Sequence, residues 1–310
     1  MKLVDEVLKG DKRAAAKLIS MIEDDDPGAS EAIAAIYPRT GSAHVVGFTG
    51  PPGVGKSSII NRLVREFRDR GKKVGVVAVD PTSPFTGGAV LGDRIRMADT
   101  GSDPGVFIRS MATRGHAGGL ALATFDAVKV LDAFGMDLVF VETVGAGQSE
   151  VDIASRAHTT VVVQMPQSGD AVQALKAGIL EIGDLYVINK VDLGGAEAMA
   201  SNLEFVLQER AGWKPPVIMT SVLEGKGITE LADAVARHLA FLKGGSVWRL
   251  REQDRCRKEL LESMRRLLAE TFEGDTAGET FEEEVGAIVA RRTDPRTAAR
   301  KLLAELRLSR

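Results

Sequence analysis

The chain has 310 residues, 44% hydrophobic and 27% charged, the composition of a globular protein with one large core and a smaller appendage. Its 40 basic and 43 acidic residues leave a net charge of −3, which gives no electrostatic case for nucleic acid or an anionic membrane surface as partner. One cysteine, Cys256, excludes an internal disulfide and a thiolate metal cluster within the chain. No apolar run approaches the ~18–20 residues of a membrane span, and the amphipathic first residues have no signal-peptide core, so a cytoplasmic protein is expected.

Residues 1–42 read as two short helices, with Leu3, Val7 and Leu8, then Ala15, Leu18, Ile19 and Ile22, at helical spacing; Asp24-Asp25-Asp26-Pro27-Gly28 ends them. From 44 to about 242, apolar runs at 45–49, 74–79, 138–141, 160–164, 185–188 and 217–219 alternate with helical patterns. Runs apolar at every residue belong to strands buried on both faces, so the fold class is α/β, with a mostly parallel sheet and helices on both faces. Beyond Lys243-Gly244-Gly245-Ser246 the chain turns densely charged and helical. Residues 249–272 carry Leu260, Leu261, Met264, Leu267 and Leu268 on one stripe, and further helices are expected at 281–291 and 296–306. A stripe of this kind needs the preceding α/β domain or a second copy of the tail to cover it.

The first chemical signal follows the run 45–49. Gly50-Pro51-Pro52-Gly53-Val54-Gly55-Lys56-Ser57 matches G-x-x-x-x-G-K-[ST] between a strand and a helix, where loop N–H groups converge on phosphate oxygens. Lys56 is expected to reach the β- and γ-phosphates, Ser57 to ligate Mg²⁺, and Ser58 to continue the cradle into a helix burying Ile59, Ile60, Leu63, Val64 and Phe67 and stopping at Gly71. The run 138–141 ends in Glu142-Thr143-Val144-Gly145, a carboxylate for Mg²⁺ and a glycine N–H to sense the γ-phosphate. Gln148 is a candidate for orienting the attacking water, against a solvated loop glutamine. Asp80 and Asp93 are each a Mg²⁺ ligand or water-positioning base, against an N-cap or turn role.

The base is read from Asn189-Lys190-Val191-Asp192. A carboxylate at Asp192 accepts from the N1–H and exocyclic amine of guanine, with Asn189 bracing the loop and the Lys190 stem lying along the ring. Adenine offers no such donor pair. Ser221, Val222 and Leu223 stand where a backbone N–H meets the guanine O6, by position after the strand at 217–219. Histidines 44, 116, 158 and 238 are scattered, with no metal-ligand spacing, and are read as structural or solvated.

Together the stretches GFTGPPGVGKSS (47–58), VAVDPTSPFTGGAVLGDRIRM (77–97), FIRSMATRGHAGGLA (107–121), FVETVGAGQSEVDIA (140–154), GDAVQALKAGILEIGD (169–184) and NKVD (189–192) resemble the MeaB/ArgK/MMAA group of P-loop GTPases, over roughly 44–230. The resemblance implies a slow GTPase with Mg²⁺ and GTP or GDP as ligands. It implies that this GTPase binds an adenosylcobalamin-dependent acyl-CoA mutase, methylmalonyl-CoA mutase above all, gates cofactor loading and helps expel damaged cofactor. No cobalamin is expected on this chain itself. Asp80 and Asp93 would belong to the magnesium and first switch region, 142–148 to a second, and 167–176 to a third that senses the partner, with Lys176 stabilising transition-state charge. Here Pro166-Gln167-Ser168-Gly169-Asp170 departs from the group's Pro-Gly-Ala-Gly-Asp, and Ala177 replaces the second lysine of its pair.

The implied organisation is an N-terminal helical extension (1–42), a P-loop GTPase domain (43–243) and a C-terminal helical dimerisation arm (244–310) of a homodimer. Two other readings compete. A nickel-insertion GTPase needs thiolate or imidazole ligands, which Cys256 and dispersed histidines do not supply, and a P-loop kinase needs ATP, which Asn189 and Asp192 oppose.

Overall fold

The computed structural model describes residues 2–80, 103–112, 117–143, 156–166, 179–273 and 278–308. In chain order the elements are α1 (Lys2–Leu8), α2 (Lys12–Glu23), α3 (Pro27–Ile36), β1 (His44–Thr49), α4 (Lys56–Asp69), β2 (Val74–Asp80), β3 (Val106–Ala112), α5 (Ala117–Ala133) and β4 (Leu138–Glu142). They continue as β5 (Thr159–Gln164), α6 (Ile179–Ile182), β6 (Leu185–Asn189), α7 (Ala196–Val206), β7 (Val217–Thr220), α8 (Ile228–Lys243), α9 (Val247–Glu273), α10 (Gly278–Val289) and α11 (Pro295–Leu308). Among the described residues no helix is long and apolar enough to cross a membrane.

The seven strands form one parallel sheet in the order β3-β2-β4-β1-β5-β6-β7. Every residue of β1, β4, β5 and β6 is buried, as the uninterrupted apolar runs require. Alternate residues serve opposite faces. Val46, Phe48, Phe140, Val161 and Val163 pack with Ile59, Ile60, Leu63 and Val64 of α4 and Leu231 and Val235 of α8. Val45, Val77, Val139 and Val141 pack with α2, α3 and α5, and Val162, Tyr186 and Ile188 with Ala196 and Leu203 of α7. Each fully buried aliphatic side chain of α4 contributes about 1.5–3 kcal/mol relative to exposure, which fixes the helix against β1 and with it the loop that joins them.

Two elements differ from the sequence expectation. The 1–42 segment forms three helices, because Asp24-Asp25-Asp26-Pro27 ends one and starts another: the Asp26 carboxylate accepts from Gly28 N at 2.8 Å, with Pro27 in the first turn of α3. Strand β3 was missed because Arg109 interrupts the apolar face shared by Phe107 and Met111. The guanidinium bonds to Ser20 and Glu23 of α2, and among the described residues β3 is an edge strand that pairs only with β2. The N-terminal helices are tied to the sheet by Asp132 of α5, which accepts from the backbone N–H groups of Gly41, Ser42 and Ala43.

Of the four histidines read as scattered, His116 lies outside the described residues and the other three meet. His44, His158 and His238 are buried together at the amino edge of the sheet. The Thr159 hydroxyl lies 2.7 Å from His44 Nε2 and 2.8 Å from His238 Nδ1, donating to one ring and accepting from the other. His158 Nδ1 accepts from Val45 N, leaving Nε2 for Glu252 at 3.2 Å. Parallel strands start side by side, so residues 44, 158 and 159 meet although more than 100 positions separate them. Linear spacing carries no sign of this. Beside them Asp184 takes a bidentate pair from Arg251 and the Thr160 N–H.

The chain divides into two compact units, Met1–Arg255 and Cys256–Arg310. Within the second, α11 is capped by Asp294, whose Oδ1 accepts from Arg296 N and Thr297 N, and Lys301 pairs with Glu284 of α10. Leu260, Leu261, Met264 and Leu267 of α9 are exposed, so the stripe read from the sequence is present.

Candidate nucleotide site

β1 has β4 on one side and β5 on the other, so the loop leaving its carboxyl end, 50–55, sits where the chain turns to opposite halves of the sheet. Two glycines are required there. Gly50 has φ +135°, and a Cβ on it would lie 2.0 Å from the Val163 carbonyl oxygen; Gly55 has φ +97°, and its Cβ would lie 2.4 Å from Asn189 Nδ2. Gly55 caps α4 without a side chain, leaving the first-turn N–H groups for a ligand.

Lys56 opens α4, and its side chain is buried to 5% exposure beneath the loop. Its Nζ donates to the carbonyls of Gly50 at 2.8 Å and Pro51 at 3.1 Å. Ser57 Oγ donates to Glu142 Oε1 at 2.6 Å, which unites the loop with the end of β4. Both Ser57 and Glu142 offer hard oxygen donors at that point, the set a divalent magnesium ion takes. Val54 is fully buried in the α4–α8 core, while Pro52, Gly53 and Ser58 are exposed.

A second group comes from β6 and β7. Asn189 is buried and donates from Nδ2 to the Val54 carbonyl at 2.8 Å, while its Oδ1 accepts from Thr220 Oγ1 at 3.0 Å. Lys190 takes the left-handed conformation, φ 60°, and its Nζ donates to the Gly53 carbonyl at 2.7 Å. Asp192 Oδ1 accepts from Ser221 Oγ at 2.7 Å. Ser221 is wholly buried, Val222 packs partly against the core, and Leu223 is 85% exposed.

Residues 50–57, Glu142, 189–192 and 221–223 thus lie at one edge of the sheet, joined in part by direct hydrogen bonds. Asp80 ends β2 opposite Ala112; its side chain, and Asp93, Gly145, Gln148 and Lys176, lie outside the described residues. Sequence reasoning missed Thr220 and the hydroxyl of Ser221. The β6–β7 register, Asn189 opposite Thr220, carries the signal, and it is visible only once strand neighbours are known.

The family model described as Methylmalonyl Co-A mutase-associated GTPase MeaB matches residues 15–277. A relative from Pyrococcus abyssi that carries a GTPase name is 48% identical over 98% of this chain and 96% of its own length. GTPase ArgK of Escherichia coli is 31% identical over 95% and 92%. Among solved structures, that of an LAO/AO transport system kinase superposes with a TM-score of 0.72 at 25% identity, covering 99% of this chain and 97% of that one. A strand–loop–helix phosphate cradle joined to an Asn-Lys-x-Asp loop agrees with these similarities, and the chain belongs to the MeaB family of GTPases, enzymes that bind and hydrolyse GTP.

Proposed function

We propose that this GTPase couples hydrolysis to the loading and protection of adenosylcobalamin on an acyl-CoA mutase, methylmalonyl-CoA mutase or a relative. The name of the matching family model supports the partner class, and the bond from Ser57 to Glu142 is the observation that carries the chemistry. It links the phosphate-binding helix to the carboxyl end of β4, so a change at the γ-phosphate is felt by the segment that β4 leads into.

In this reading Lys56 exchanges the carbonyls of Gly50 and Pro51 for β- and γ-phosphate oxygens, and the uncapped turn of α4 donates its N–H groups to the same anion. Ser57 and Glu142, with Asp80 and Asp93, hold Mg²⁺, which neutralises charge on the phosphate oxygens when bound. Gly145 senses the γ-phosphate, Gln148 orients water, and Lys176 brings a second cation to the transferring group when the mutase engages. Asp192 accepts from the guanine N1–H and exocyclic amine, Asn189 keeps the base loop on the cradle, and a backbone N–H of 221–223 meets O6. Hydrolysis is slow alone and faster with the partner, and 244–310 joins two copies.

Single-turnover GTP hydrolysis and cobalamin transfer, each with and without purified mutase, test this. Stimulated hydrolysis and nucleotide-dependent transfer are expected. A rate that ignores every cobalamin-dependent acyl-CoA mutase would overturn the coupling while leaving the GTPase in place.

A further inference from the structure

The segment carrying Val222 and Leu223 is tied to α4 at two points. Arg62 donates from Nη2 to the Val222 carbonyl at 3.2 Å. One turn later Glu66 Oε2 accepts from Thr229 Oγ1 at 3.2 Å, while its Oε1 holds Arg70, which also reaches Asp233 of α8. Arg62 and Glu66 are four residues apart and share a face of the helix that begins at Lys56. The loop also closes on itself: Ser221 and Lys226 exchange both backbone bonds, at 3.1 and 3.0 Å.

The Val222 C=O and the Leu223 N–H belong to one planar trans peptide and point in opposite directions. With the carbonyl drawn toward α4, the N–H of Leu223 is turned away from that helix, while the Ser221 hydroxyl next in the chain donates to Asp192 and accepts from Glu224 N. We infer that Arg62 is a positioning residue for base recognition: its grip on the Val222 carbonyl orients the Leu223 N–H as the donor to the exocyclic oxygen of guanine. This rests on the reading that 221–223 meets the base. It also gives a route by which one helix sets both the phosphate cradle and the base loop.

The test titrates the full-length protein with GDP and with 6-thioguanosine diphosphate, which keeps the N1–H and amine but replaces O6 by a weakly accepting sulfur. The wild type is expected to favour GDP by about tenfold. Arg62→Ala should weaken GDP about fivefold and the thio analogue less than about twofold, shrinking the ratio to about two to four. Arg62→Lys, which retains a donor, should recover part of the ratio. Equal weakening of both nucleotides, or an unchanged ratio, would overturn the inference while the base reading stands. A wild type that does not separate the two nucleotides would overturn the base reading and this inference with it. Arg62 is exposed and folding is expected to survive; were the alanine variant unstable, a GDP preference higher in Arg62→Lys than in the donor-free Arg62→Met would support the inference, and equal ratios in both would overturn it.

Discussion

At the carboxyl edge of the sheet Lys56, Asn189 and Lys190 donate to backbone carbonyls of the 50–55 loop, whereas at the amino edge His44, Thr159 and His238 bond to one another and Asp184 to Arg251. Both edges bury polar groups, and both pair most of them, His238 Nε2 standing 3.4 Å from Asp184. The difference lies in what a ligand could replace. The carbonyls that hold an ammonium lie in a loop with positive φ at Gly50, Gly53 and Gly55, where Pro51 is half-buried and Pro52 and Gly53 are exposed, so a phosphate entering from solvent can take their place as acceptor. Side chains bonded to one another within the core have nothing to exchange. Breaking the first edge should therefore remove activity and spare the fold, and breaking the second should do the reverse.

The largest effect expected is at Lys56. Lys56→Ala should slow single-turnover hydrolysis about 100- to 1,000-fold, the loss typical of one donor aimed at developing charge. The melting temperature of the nucleotide-free protein should move by only a few degrees. A large fall in that temperature would place Lys56 with the structural groups. Next in size is Asp192→Asn. Losing a carboxylate that accepts two donors should weaken GTP by about 3 kcal/mol, near 100-fold, and improve xanthosine triphosphate, whose 2-oxo group accepts from the new amide. Ser221 can still donate to the amide oxygen, so the loop stays in place. Competition binding with both nucleotides measures the exchange, and GTP binding left intact with no gain for xanthine would refute the base assignment.

Legibility followed the same division. Residues 50–57 and 189–192 were readable because each motif is contiguous and flanked by a buried strand, and the sheet followed from runs such as 138–141. Strand β3 was hidden by Arg109, whose charge is satisfied by Ser20 and Glu23 on a helix 86 or more positions away. The amino-edge network was hidden for a related reason. Its members are single histidines and a threonine on separate strands, joined only by the β1–β5 pairing and by α8 lying across it. Thr220 was missed because a threonine ending a strand has no local mark of function until its register with Asn189 is known.

A smaller effect separates the edges by pH. Burial lowers the His238 pKa from 6.5 to about 4, against the attraction of Asp184 and with Arg251 adding to the depression. Burial also lowers His44 and His158. A folded-state value below the unfolded one means the unfolded chain takes up the proton first. The stabilisation is therefore present above pH 6.5 and lost as pH falls toward 4. From His238 alone, stability should drop by about 2 kcal/mol between pH 6.5 and pH 5. Denaturant unfolding in that window should show this loss, and His238→Gln should flatten the slope without changing GTP affinity at pH 7.5. An unchanged slope would mean that the His238 ring takes up its proton as easily in the folded protein as in the unfolded chain.

The finest distinction concerns Thr220, a strand residue that serves the site at one remove. Thr220→Val keeps the shape and deletes the hydroxyl that donates to Asn189 Oδ1, leaving the amide nitrogen on Val54 as its remaining tie to the cradle. The loss of one buried hydrogen bond should cost about 1 kcal/mol of stability. If Asn189 transmits the position of the base loop to the phosphate loop, GDP affinity should fall about threefold as well, because part of the binding energy then goes into re-ordering 189–192. Equal stability loss with unchanged GDP affinity would make Thr220 a core residue only, and would confine the coupling of base and phosphate loops to the bond from Lys190 to Gly53.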